Sequence, residues 1–175
     1  MNMQDFRKGI SLVLFAALLF GMTACKKTKI EETVYDNVLY RVDTVPLYFS
    51  NSEKVKQKST IQYISILYAD LFGTGISNTE LADLSELNLA IGDKSMANEL
   101  LLSHYLNDPD VKVPTNAAMR GDIEKFVEDT YLRFYLRNPT PYEKHYMMQL
   151  IKEDQGLSPA QIFTAFALSN EYYFY

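Results

Sequence analysis

From Asp122 to Tyr175 the chain reads DIEKFVEDTYLRFYLRNPTPYEKHYMMQLIKEDQGLSPAQIFTAFALSNEYYFY. Its middle, LRNPTPYEKHYMMQL (Leu136 to Leu150), crowds two prolines, an arginine and a histidine together and looks like a site. The chemistry is that of a helix junction. Thr140 and Glu143 form a capping box, in which each side chain accepts a hydrogen bond from the other residue's backbone N–H. Pro141 takes the first helical position, where a missing N–H is harmless. Pro139 closes the approach, and Arg137 falls near a helix carboxyl end, where a cation is favoured. Tyr146, Met147, Leu150 and Ile151 recur at helical spacing and are expected to face the core.

The same logic runs outward along the chain. STIQ from Ser59, SNTE from Ser77 and SPAQ from Ser158 fit the capping box, while SMAN from Ser95 and DIEK from Asp122 keep the cap alone. The six caps fall at 59, 77, 95 and at 122, 140, 158, eighteen apart within each set and sixty-three apart between sets. Helices are expected near 60–72, 78–91, 96–107, 123–136, 141–153 and 159–174. Gly73-Thr74-Gly75, Gly92-Asp93 and Asp154-Gln155-Gly156 stand where helices should stop. Asp108 to Gly121 separates two sets of three helices.

Apolar residues test that spacing. Tyr63, Ile64, Tyr68, Leu71 and Phe72 shift by sixty-three onto Phe126, Val127, Tyr131, Phe134 and Tyr135. The second helices match less closely: Leu84 and Leu87 land on Met147 and Leu150, but Leu81 lands on Lys144. With no sustained strand pattern, the expectation is an all-α fold of six helices. They form two related three-helix units, 59–107 and 122–175, against the alternative of six unrelated helices of similar length.

The amino terminus reads as an export signal. Arg7 and Lys8 precede the apolar run ISLVLFAALLF (Ile10 to Phe20), which leads through GMTA to Cys25. Eleven residues of helix reach about 17 Å, short of the ~30 Å hydrocarbon core. The small residues before the only cysteine resemble the lipobox of bacterial lipoproteins, with Met22 at the usual leucine position. That resemblance implies lipidation of Cys25 and cleavage before it. Acyl chains then anchor the protein at about 0.8 kcal/mol per buried methylene. Residues 1–24 are thus expected to be a lipoprotein signal peptide, 25–58 a membrane tether and extended arm, and 59–175 the helical domain. Lys26, Lys27 and Lys29 suit water or anionic headgroups. Pro46 confines any short strand near Val38 to Val42 to an edge. A formal charge of −5 for the whole chain argues against nucleic acid as a partner.

The segment from Phe126 also resembles the three-helix module of phycobilisome linkers and related bacterial extracellular repeats. The matching residues are Phe126-Val127, Tyr131, Leu136-Arg137, Pro139, Ser158 and Ser169-Asn170-Glu171-Tyr172. It is similar as well to the helical carboxyl-terminal end of planctomycete-type secreted proteins. There an arginine-proline-threonine-x-glutamate turn leads to an asparagine-serine-proline-glutamate-phenylalanine-like ending. The chain departs from the pattern at three points. No glycine precedes Arg137, the middle helix lacks tryptophan, and the first unit has Gly73-Thr74-Gly75 at the turn. Neither family has a catalytic residue to carry over; the resemblance implies a scaffold or interaction module.

The search for reactive groups points the same way. His104 and His145 have no histidine or cysteine at ligand spacing, so no metal or other cofactor is expected. Ser77, Ser95 and Ser158 serve as caps. Asp83 with Glu86, and Glu124 with Glu128, share helix faces, whereas a hydrolase needs two carboxylates facing each other across a cleft. FGTGIS lacks the rest of a phosphate loop. Thirteen tyrosines and ten phenylalanines stand out. Those at helical spacing read as core boundary, and the terminal Tyr172, Tyr173, Phe174 and Tyr175 are expected to dock to a partner. The sequence therefore points to a non-enzymatic, lipid-anchored envelope protein, at the outer membrane, that binds or scaffolds another envelope protein. A carbohydrate-binding accessory lipoprotein is the alternative, and a small envelope hydrolase ranks third.

Overall fold

The computed structural model describes residues 47–175; the expected signal peptide, Cys25 and the tether up to residue 46 lie outside them. Seven helices follow in order: α1 (Thr60–Phe72), α2 (Asn78–Ile91), α3 (Lys94–Leu106), α4 (Asn116–Gly121), α5 (Ile123–Tyr135), α6 (Pro141–Glu153) and α7 (Pro159–Ala167). Short 3-10 turns lie at Asn51–Glu53 and Glu171–Tyr173. No strand occurs among the described residues, so this part of the chain is all-α.

Five helix starts sit where the caps put them. Ser59, Ser77, Asp122, Thr140 and Ser158 each accept from the backbone N–H three residues on, at 3.0 to 3.3 Å. The box is reciprocal at Ser59, Thr140 and Ser158, whereas Ser77 supplies only its own half. The third start differs from the expectation. Asp93, not Ser95, caps α3, its Oδ1 accepting from Ser95 N at 2.9 Å and Met96 N at 3.3 Å. A carboxylate at a helix amino end gains from the dipole as well as from the hydrogen bonds, so it wins over the nearby serine. Gly92, at φ +75°, ends α2 and leaves Asp93 extended for this role.

Two further differences have local causes. The segment expected only to separate the two units holds α4, capped by Thr115 and anchored by the fully buried Met119. Arg120 at its end donates to the carbonyls of Ile151, Asp154 and Leu157, supplying partners to the α6 terminus and the turn beyond it. At the other end α7 stops at Ala167, not near residue 174. Ser169 Oγ donates to Phe166 O and accepts from Tyr172 N, offering the backbone an alternative to another helical turn.

One core runs through the molecule. It joins Tyr63, Ile64, Leu67, Leu71 and Phe72 of α1 to Leu101, Leu102 and Tyr105 of α3. It continues through Phe126, Val127, Tyr131, Phe134 and Tyr135 of α5 to Ile162, Phe163 and Phe166 of α7. α1, α2 and α3 pack on one another; α4, α6, α7 and the terminal turn pack on α5, and α3 meets α7. The middle helices contribute least, α2 burying only Asn88 and α6 only Ile151. The stripe expected to face inward from α6 is thus divided: Ile151 is core and Met147 partly buried, but Tyr146 is 56% and Leu150 37% exposed.

The last part of the expected tether, 47–58, lies against this body. Lys56 and Tyr175 exchange backbone hydrogen bonds at 3.1 and 2.9 Å, and Lys58 N donates to Tyr173 O at 2.8 Å. This is the single antiparallel bridge among the described residues, between Gln57 and Phe174. Tyr48 N donates to Leu136 O at 2.9 Å. Lys54 is buried.

Candidate functional site

Where α5 gives way to α6, Leu136 adopts a left-handed conformation (φ 54°), which costs a non-glycine residue about 1–2 kcal/mol. The turn sends Arg137 inward. Its guanidinium is 3% exposed and spends all five N–H donors. Nε and Nη2 reach Glu171 at 2.7 and 2.9 Å, Nη1 and Nη2 reach Glu143 at 2.9 and 2.8 Å, and Nη1 also reaches Asn138 O at 3.1 Å. Lys54 Nζ approaches Glu171 at 3.2 Å and lies over the rings of Tyr48 and Tyr135.

Two cations and two carboxylates make this cluster neutral overall, as burial demands. The Arg137 hydrogen bonds hold the Glu143 carboxyl down to about 2, and the bonds to Glu143 and Glu171 raise Arg137 itself. Desolvation lowers Lys54 despite the opposing pull of Glu171. Arg137 has no donor left for a substrate and Lys54 is buried, so the cluster is a clasp joining arm, helix junction and carboxyl-terminal turn. Arg137, Glu143 and Glu171 all belong to the motifs read from sequence, but their pairing was not.

A second polar cluster lies beneath the terminal turn. Tyr172 is fully buried, and its hydroxyl donates to Asp70 Oδ2 at 2.6 Å. Lys58 Nζ lies 3.7 Å from the centre of the Tyr172 ring and donates to that residue's carbonyl. Burial pushes Asp70 up to about 6 and Lys58 down to about 8. The four aromatics expected to dock outward are therefore not a free surface. Tyr172 belongs to the core, while Tyr173, Phe174 and Tyr175 are half-buried against α1 and the arm.

The remaining sequence candidates are dispersed. His145 is exposed; His104 is exposed beside an apolar crevice lined by Leu84, Leu87, Ile91 and Leu100. Neither histidine bonds a carboxylate among the described residues. No group of three potential metal ligands occurs among them either. Glu124 and Glu128 both accept from Lys144 Nζ, at 2.7 and 3.0 Å, tying α5 to α6. No described helix is long and apolar enough to cross a membrane.

Two surface features bear on binding. On α6, Tyr142 and Tyr146 stand 77% and 56% exposed, their rings 6.4 Å apart and 16° from parallel, with Leu150 one turn further on. Thr140 and Pro141 start this helix, so the capping box that fixes its first turn also aims both rings. The second feature is a groove of about 340 Å³ between the amino ends of α1 and α3, α2 and the terminal turn. No protein family model, curated protein or solved structure matches the chain.

Proposed function

We propose that this chain is a lipoprotein anchored through Cys25 at the outer membrane, whose helical body is a non-catalytic module that binds or scaffolds another envelope protein. The observation that carries the reading is the α6 stripe. Tyr142, Tyr146 and Leu150 are exposed at a spacing of four, with the two rings stacked on each other. Tyrosines at this spacing offer a rigid amphipathic contact at low entropic cost, the kind of residue that dominates protein interfaces. The resemblance of the second unit to linker modules points the same way.

We also read the two halves as a divergent duplication. Tyr63, Ile64, Leu71 and Phe72 are buried, as are Phe126, Val127, Phe134 and Tyr135 sixty-three positions on. The buried residues of the two middle helices, Asn88 and Ile151, keep the same offset.

The test is capture of the tagged full chain from detergent-solubilised membranes, beside the variant Tyr142→Ser/Tyr146→Ser. A partner held by the native chain and lost from the variant supports the reading; a partner set that the variant leaves unchanged overturns it. Carbohydrate binding remains a second reading, favoured by the polar groove beside Tyr173.

A further inference from the structure

The groove between the amino ends of α1 and α3 has an unusual wall. Its charged lining residues are Lys58 and Lys94; no aspartate or glutamate lines it, in a chain whose net charge is −5. Asp93, next to Lys94, is directed to the α3 cap instead. Two helices of thirteen residues each, α1 and α3, present their amino ends here; that of α1, capped by the neutral Ser59, adds partial positive charge, while the Asp93 carboxylate offsets that of α3.

Buried amides form the polar wall. Asn88 and Asn98 are 7% and 6% exposed, yet both line the groove. Asn88 Nδ2 donates to Asn98 Oδ1 at 3.2 Å, and Asn98 Nδ2 donates to the Tyr173 hydroxyl at 3.2 Å. That order leaves specific groups unspent. The Tyr173 oxygen accepts from Asn98, with the Tyr63 hydroxyl beside it, and Asn88 Oδ1 accepts from no donor among the described residues. Lys58 uses one of three ammonium protons on the Tyr172 carbonyl. The Tyr173 ring itself is held by stacking on Tyr63, 5.3 Å away and 18° from parallel.

From this wall we infer that the groove is a binding site for one or two sugar rings carrying a carboxylate, an acidic saccharide. The inference rests on the second reading above and narrows it. Sugar hydroxyls both donate and accept, which matches paired amides and a tyrosine hydroxyl; the carboxylate lies toward the exposed Lys94, Lys58 already facing Tyr172 and Asp70. A peptide would need apolar side-chain pockets, and Leu168 is the one aliphatic residue in the lining. The volume of about 340 Å³ is at the small end for ligand sites and suits a disaccharide.

Calorimetric titration of the full chain in detergent tests this, with digalacturonate and its carboxyl-reduced, neutral counterpart as probes. Digalacturonate is expected to bind saturably and at least tenfold more tightly than the neutral disaccharide. Lys94→Glu, a change at an exposed residue, should weaken it about tenfold with the melting curve little altered, and Tyr173→Phe about threefold. Equal binding of both disaccharides would overturn the acidic specificity while leaving carbohydrate binding standing. Absence of saturable binding by either would overturn both, as would affinity unmoved by Lys94→Glu and Tyr173→Phe together.

Discussion

Arg137 grips Glu171 with two parallel hydrogen bonds, Nε to Oε1 at 2.7 Å and Nη2 to Oε2 at 2.9 Å, across thirty-four positions of chain. The same guanidinium holds Glu143 with its other edge. Removing one partner from a buried, hydrogen-bonded ion pair leaves the others desolvated and unpaired. Arg137→Ala is therefore expected to lower unfolding free energy by roughly 3–5 kcal/mol in urea. Arg137→Lys should recover little, because an ammonium cannot supply five planar donors. A lysine variant within about 1 kcal/mol of the native chain would show that the clasp is not what holds this junction.

Stability should pass through a maximum on acidification. Asp70 has a folded-state pKa of about 6, above its ordinary 3.8. Its contribution is thus complete below the ordinary value and lost as pH rises through 6. Glu143 is the reverse: at about 2 against 4.5, its contribution is present above 4.5 and lost as pH falls through 2. From about pH 7 down to about pH 4 the melting temperature should rise, then fall toward pH 2. Asp70→Asn should flatten the upper limb, by roughly 1–3 kcal/mol across it. An unchanged upper limb in that variant would rule out Asp70 as its source.

At Leu136 the left-handed backbone makes a specific comparison possible. Glycine adopts this conformation freely and alanine does not, so Leu136→Gly should be about 1 kcal/mol more stable than Leu136→Ala. In a helix or extended segment the order would be reversed. Chemical denaturation of the two variants side by side decides it.

Tyr142→Ser/Tyr146→Ser should leave the unfolding midpoint nearly unchanged, within about 0.5 kcal/mol, because both rings are exposed. Tyr172→Ala, by contrast, empties a fully buried site and should cost about 3–5 kcal/mol. If the two variants are equally destabilised, the α6 stripe is structural and not a contact surface.

Anchoring has its own test at Cys25. Cys25→Ala should move the protein from the membrane pellet to the soluble fraction, since the run Ile10 to Phe20 is too short to hold it as a span. Full retention of the variant in the pellet would rule out lipidation as the anchor.

Helix starts were legible because capping is local: a serine, threonine or aspartate and the N–H groups it serves lie within three residues. That is why Ser59, Ser77, Asp122, Thr140 and Ser158 could be read directly. The same rule misplaced α3, where Asp93 and Ser95 compete two residues apart and Gly92, at positive φ, leaves Asp93 extended for the cap. It missed α4, whose six residues make too short a pattern to register, and whose reason for being lies in Met119 and the distant carbonyls that Arg120 reaches. The end of α7 escaped as well, since Ser169 turns the chain through contacts that extend to Tyr135.

Residue patterns at spacings of three and four determined that this chain is helical, where most helices begin, and which faces of α1 and α5 are apolar. Tertiary structure decided how those faces share one core, and it turned Tyr172 inward while leaving Tyr142 and Tyr146 outside. It also drew Lys54, Arg137, Glu143 and Glu171 into one buried cluster and lined a groove with Asn88, Asn98 and Tyr173. The reason is physical: caps and helical periods are satisfied by neighbours along the chain, whereas buried charges and amides take whichever partners packing brings within hydrogen-bonding reach.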